Sequence, residues 1–231
     1  MTEAGITINF SGKLGDGIAR TLFIKLHKGN LWPVDQYYKD YSKEDLFDMI
    51  EFLFDYVSKP EYAQETDLSP TSYDKSAGQE SFRVHFNEKL GLFEQGYVLS
   101  EIGEITNRPE DGLEKLLKSE LPTDDDTNIR KKVDAAIRKY LSRHSIDTDR
   151  RDAVRDLADV LEFLRPKMKG IILEKDESDL FNIANNFGLR HHNENQKTNY
   201  DGKLWNSWLF YFYLSTIHLI LRKIDAAKNA K

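Results

Sequence analysis

No cysteine occurs anywhere in the chain, which excludes disulfides, zinc–cysteine centres and thiol nucleophiles and suits a reducing compartment. Met1 to Phe10 has no basic region followed by an apolar run, so no secretory signal is expected and the chain is assigned to the cytoplasm. Gly12, Gly15 and Gly17 are followed by no Lys-Ser or Lys-Thr pair, and their spacing fits neither a P-loop nor a dinucleotide fingerprint. A nucleophile elbow of the hydrolase type is missing too. Neither His191 nor His192 has a second histidine four residues away, the spacing that puts two ligands on one helix face, so neither a metal nor a cofactor is expected.

What is present is enough for two domains of ordinary size: 231 residues, 39% hydrophobic and 31% charged. The net charge of −6 is unevenly divided. Residues 1–122 hold 13 Lys and Arg against 22 Asp and Glu, a balance of −9, whereas residues 123–231 hold 20 against 17, a balance of +3. Only the second half is suited by its local charge to approach a polyanion. Leu121-Pro122-Thr123 and three following aspartates mark the change, so the expected organisation is an acidic α+β domain over 1–122 and a helical domain over 123–231.

In the first half, Ile6 to Phe10 alternates as a strand does, and Gly17 to His27 reads as a helix capped by Asp16, with Ile18, Leu22 and Leu26 on one face. Ser42 followed by Asp45 predicts a helix start; Leu46, Met49, Ile50 and Leu53 supply its apolar side and Pro60 its end. Its polar side carries Glu44, Asp45, Asp48, Glu51 and Asp55, which suits water or a basic partner protein. Thr66 to Gly78 has loop composition. Glu80 to Phe93 reads as a helix with Phe82, Phe86, Leu90 and Phe93 in a stripe, and Gly96 to Ile105 as two short strands about a tight turn. A helix followed by a hairpin is compatible with a winged DNA-binding unit, but Glu101 and Glu104 would repel the phosphates it must straddle.

The second half is helical throughout: a short helix within Pro109 to Lys118 precedes it, then Thr127 to His144, a helix from Asp147 or Thr148 to Arg165, a corner at Pro166 and Gly170, Asp176 to His192, and Gly202 to Ala227 capped by Asp201. Four helices with short connections predict a bundle. Leu204 to Leu221 carries no formal charge, yet Asn206, Ser207, Ser215, Thr216 and His218 interrupt it and its tyrosines are central, so it is expected to lie inside the domain or against a second subunit rather than in a membrane.

Between the last two helices lie Arg190, His191, His192 and Asn193, followed by Glu194, Asn195 and Gln196. Two histidines that titrate near neutrality beside a permanent cation are suited to proton transfer and charge stabilisation on a phosphate, the requirements of metal-independent RNA cleavage. The same residues also suit a plain helix end, with Arg190 and Glu194 paired at i,i+4 and the histidines near the negative pole of the dipole.

Asn185-Asn186-Phe187-Gly188-Leu189-Arg190-His191-His192-Asn193 with Gln196, then Tyr200-Asp201, Trp205, Trp208, Tyr211 and Thr216-Ile217-His218, resembles the HEPN family of helical-bundle proteins, in particular the C-terminal part of abortive-infection (AbiJ-type) proteins. The hairpin Gly96 to Ser100 with Gly103 to Ile105 is similar to one in their N-terminal part. The resemblance implies a mainly α protein with a C-terminal HEPN-like four-helix bundle after a smaller α+β domain with a short β-hairpin. It also implies a homodimer, RNA as the partner, and metal-independent endoribonuclease activity in prokaryotic antiphage defence. Arg190, His191, His192 and Asn193 become its candidate catalytic residues. The family's catalytic motif sets a histidine a few residues beyond the arginine, at positions that here are Asn195, Gln196 and Lys197. The alternative is a catalytically inactive HEPN-like module that dimerises and binds RNA or a partner protein.

Overall fold

The computed structural model describes residues 17–64, 69–93, 96–186 and 202–229. The chain divides into two compact units, Met1–Arg108 and Pro109–Lys231. The division falls ahead of the 122/123 boundary expected from charge, for a packing reason: Leu121 is buried in the core of the second unit, and Leu113, Leu116 and Leu117 pack against that core. Among the described residues the fold is mainly helical, with two small antiparallel hairpins.

The N-terminal unit contains α1 (Ile18–Leu26), α2 (Val34–Tyr37), α3 (Lys43–Tyr56), β1 (Lys59–Glu61), β2 (Ser72–Asp74), α4 (Lys75–Leu90), β3 (Tyr97–Leu99) and β4 (Ile105–Asn107). Ile18 and Leu22 of α1 are buried as expected. The capping box at α3 is formed: the Asp45 N–H donates to Ser42 Oγ at 3.1 Å and the Ser42 N–H to Asp45 Oδ2 at 3.0 Å. The buried face of α3 is wider than one stripe. Phe47, Ile50 and Phe54 enter a cluster with Phe82, Leu90, Tyr97, Leu99 and Ile105, while Met49 and Phe52 enter a second with Ile18, Leu22 and Leu31. Each large side chain so buried contributes roughly 1.5–3 kcal/mol of transfer free energy.

Three expectations are corrected here. Pro60 does not end α3, which stops at Tyr56; it sits in β1 opposite Tyr73, and part of the segment read as loop, Ser72–Asp74, is the partner strand β2. Helix α4 begins at Lys75, before Glu80, with the Asp74 carboxylate accepting from the Ala77 N–H at 2.9 Å. Glycine at 78 permits this arrangement, because a Cβ there would lie 2.4 Å from the Ser58 Cα.

The β3–β4 hairpin matches the sequence reading, with Val98 opposite Thr106. Its turn needs Gly103, which has φ +85° and whose Cβ, if it had one, would lie 2.3 Å from the Phe54 ring. Side chains close both outer edges. The Asn87 amide takes the Leu99 N–H at 2.6 Å and gives its own N–H to the Leu99 carbonyl at 3.1 Å, while the Glu51 carboxylate accepts the Ile105 N–H at 2.7 Å. Edge groups satisfied in this way do not template further strand pairing.

The C-terminal unit contains α5 (Glu114–Lys118), a π-helical turn at Asp126–Arg130, α6 (Lys131–Leu141), α7 (Asp147–Met168), α8 (Glu174–Asn186) and α9 (Gly202–Asn229). Asp125 is the one of the three aspartates that caps, accepting from the Asn128 N–H at 2.9 Å. Helix α7 packs on both α6 and α9. Ala153, Val154, Leu157, Ala158, Leu161 and Leu164 of α7 meet Val133, Ala136 and Tyr140 of α6 and Phe210, Tyr213, Leu214 and Ile217 of α9 in one cluster, which Phe181 of α8 joins. Over Phe181 lies the Arg165 guanidinium, 4.3 Å from the ring centroid and paired with Glu177 at 2.8 Å.

Pro166 lies inside α7 rather than ending it. Near a helix end a proline forfeits only one backbone bond, and burial of Leu164 and Met168 on either side holds the last turn. No described helix is long and apolar enough to cross a membrane. Nor is α9 buried all round: Leu204, Trp205, Trp208, Ser215 and Leu219 are exposed along one side. Tryptophan and leucine carry no charge wherever they point, so composition alone could not separate a buried side from an open one.

Candidate functional site

Arg190, His191, His192 and Asn193 lie outside the described residues, as do Asp16, Asp201 and the strand expected over Ile6 to Phe10. In the chain they fall between α8, which is described to Asn186, and α9, which begins at Gly202. The described part of the C-terminal unit nevertheless contains a cleft of about 710 Å³, within the range of small-ligand sites.

Four elements build it. Glu110 precedes α5, Tyr140 is in the last turn of α6, Arg150 is in the first turn of α7, and Lys203, Ser207, Trp208, Tyr211 and Phe212 come from α9; Leu113, Leu116 and Leu204 add apolar wall. The spacing 204, 207, 208, 211, 212, 215 is the helical repeat that brings one side of α9 to the cleft. Tyr140 is held flat on Phe210, with ring centroids 3.9 Å apart and 9° between planes. Above it the Arg150 guanidinium stands 5.8 Å from the ring centroid. Trp208 is stacked on Phe212 at 5.2 Å and 16°, and Trp205 meets Trp208 edge-on at 5.4 Å.

The polar groups form a short relay. Ser207 Oγ donates to Glu110 Oε1. Burial raises the Tyr140 phenol above its ordinary value; Ser207 beside its hydroxyl opposes that rise, Glu110 adds to it, and Arg150 opposes it. Tyr211 is pushed up strongly, by burial first and then by Glu110. Both phenols therefore stay protonated at neutral pH and can donate to a ligand. Arg150 makes no ion pair with any described residue, and its Nε is buried with no acceptor. Leaving such a donor unmet costs roughly 1–3 kcal/mol.

Deeper in α9, His218 is buried at 5% exposure with Nδ1 unpartnered, and burial, followed by Arg222, lowers its pKa. The sequence did not single out the cleft, and of its members Trp208 and Tyr211 enter only through the family resemblance. Tyr140 reads as part of an apolar stripe, and Glu110 and Ser207 are 97 positions apart. No group of three or more potential metal ligands occurs among the described residues.

Compared with known protein families, with curated proteins and with solved structures, the chain matches none.

Proposed function

We propose that the protein is a HEPN-like endoribonuclease of prokaryotic antiphage defence that cuts RNA without a metal, through Arg190 with His191 or His192. In this reading α6, α7, α8 and α9 are the four helices of the HEPN bundle, the working form is a cytoplasmic homodimer, and Asn193 stands beside the reacting groups. The observation that carries it is the position of the cluster: a cation, two histidines and an amide fall in the chain between the last two helices of a unit whose described elements are all helices. The chemistry suits those residues. A ribose 2′-hydroxyl attacks the neighbouring phosphate, a histidine moves the proton, and the guanidinium balances the growing negative charge.

Purified protein incubated with total RNA or tRNA in a chelator is expected to cut it, and Arg190→Ala or the double variant His191→Ala/His192→Ala to lose the activity. Cleavage that survives both variants contradicts the reading, as does none by the wild-type protein.

A second reading, a non-catalytic module, is favoured by the open apolar side of α9 at Leu204, Trp205, Trp208 and Leu219. It would dimerise or hold RNA or a partner protein without cutting, and RNA retained but uncut in the same incubation would select it. The acidic face of α3, where a basic partner protein would dock, also serves its own chain: Lys28 Nζ holds Asp45 and Asp48 at 2.8 Å each, and Lys25 holds Asp55 at 3.0 Å.

A further inference from the structure

Two donors in the cleft of the C-terminal unit have no acceptor among the described residues. Tyr211 is 7% exposed and its hydroxyl is buried without a hydrogen-bond partner; Nε of Arg150 is in the same position. Both residues stand at one ring. The Arg150 guanidinium lies 5.8 Å from the Tyr140 ring centroid, and the Tyr211 ring meets Tyr140 edge-on at 6.2 Å. Burial raises the Tyr211 phenol and keeps it protonated, and a guanidinium has donors alone, so the group both lack is an acceptor oxygen.

The rest of the lining limits what can carry that oxygen. It holds two cations, Arg150 and Lys203, and one carboxylate, Glu110. Lys203 and Glu110 are exposed, and Glu110 accepts from Ser207, so a hydroxyl and water already serve the carboxylate. The desolvated charge is that of Arg150, and its complement is an anion. Leu113, Leu116, Leu204 and the stacked pair Trp208 and Phe212 make the remaining wall apolar.

We infer that the cleft binds a monocarboxylate with an aromatic body, an arylalkanoate. Its planar carboxylate meets the Arg150 guanidinium and the Tyr211 hydroxyl, and its ring lies against Trp208 and the leucines. A nucleotide complements the cleft less well, because its ribose hydroxyls and base edges would leave water for an apolar wall. An amine is the wrong sign for Arg150. The inference is independent of the ribonuclease reading, since it uses neither Arg190 nor the histidines beside it.

Calorimetric titration of the full chain tests it, with indole-3-propionate, indole-3-propionamide, tryptamine and AMP as probes. The acid is expected to bind saturably and to raise the thermal midpoint by mass action. Its amide, which has the same shape without the charge, should bind about tenfold or more weakly, the scale of one charge-assisted hydrogen bond. Tyr211→Phe should weaken the acid by about the same factor and leave the midpoint of the ligand-free protein no lower, since a hydroxyl without a partner stabilises nothing. Arg150→Lys, which keeps the charge over Tyr140 and loses the planar fork, should also weaken the acid, and it supplies the test if Tyr211→Phe fails to fold. Glu110→Gln removes a like charge from an exposed position and should tighten the acid about twofold. No saturable binding of the acid at about 10 mM overturns the inference. So does the amide, tryptamine or AMP binding as tightly as the acid, a Glu110→Gln loss, or full affinity in both Tyr211→Phe and Arg150→Lys.

Discussion

Polar side chains are used differently in the two units. In the N-terminal unit they close on partners within the unit: Lys28 on Asp45 and Asp48, Lys25 on Asp55, Glu51 on the Ile105 N–H, Asn87 on both backbone groups of Leu99. In the C-terminal unit Arg150 Nε, Asn206 Oδ1, the Tyr211 hydroxyl and His218 Nδ1 are buried with no hydrogen-bond partner among the described residues. Buried polar atoms left unmatched cost stability, so a fold retains few of them without a use. Four in one helical unit, two of them lining a cleft, mark that unit as the place where binding or chemistry is to be sought, while the described residues of the other unit hold no such atom.

The largest effects should separate the units. Gly103→Val forces a β-branched residue to φ +85° against Phe54 and should destabilise the N-terminal unit by about 3–5 kcal/mol. Phe210→Ala removes the ring on which Tyr140 lies and should cost the C-terminal unit about 3–5 kcal/mol. Hydrogen exchange should show α3 losing protection in the first variant and α9 in the second; simultaneous loss of both in either variant would break the division into two cores.

Asn87→Ala comes next. It strips the N–H and carbonyl of the fully buried Leu99 of their partners and should cost about 2–3 kcal/mol, read as a lower denaturant midpoint for the N-terminal unit.

A smaller effect contrasts the units by pH. His218 has a folded pKa lowered from 6.5, so the unfolded chain takes its proton first and stability from this group, complete above pH 6.5, is lost as pH falls through the folded value. Asp45 is held down to about 2, by Lys28 first and then by Ser42, so its contribution, about 1 kcal/mol after allowing for solvent screening, survives until pH drops below 3.8. On acidification α9 should lose exchange protection before α3, and His218→Gln should flatten the slope below pH 6.5. An identical slope in that variant would sink the assignment.

Much of the N-terminal architecture is legible in the residues themselves, because short-range signals decide it. The Ser42 and Asp45 cap, the Phe82 to Leu90 stripe and the β3–β4 hairpin are all of this kind. The α3 stripe misleads for a tertiary reason: two clusters flank the helix, so Phe47, Phe52 and Phe54 are buried while Leu46, on the expected face, is 37% exposed. Lys59-Pro60-Glu61 has no alternation to betray a strand and is defined by its pairing alone. The cleft is illegible for a different reason, since Glu110, Tyr140, Arg150 and Ser207 belong to four separate segments that only packing unites.

The smallest stability effect belongs to the open side of α9. Trp208→Ala, at a position 45% exposed but stacked on Phe212, should cost about 0.5–1 kcal/mol, read as a lower denaturant midpoint for the C-terminal unit. An unchanged midpoint would mean that the stack adds nothing to the unit's stability.

The most direct measurement is the chemistry of the ends left on RNA by the full chain in a chelator. The account predicts 2′,3′-cyclic phosphate ends with the wild-type protein and none with Arg190→Ala. Intact RNA with the wild-type protein, or the same ends with Arg190→Ala, would contradict it.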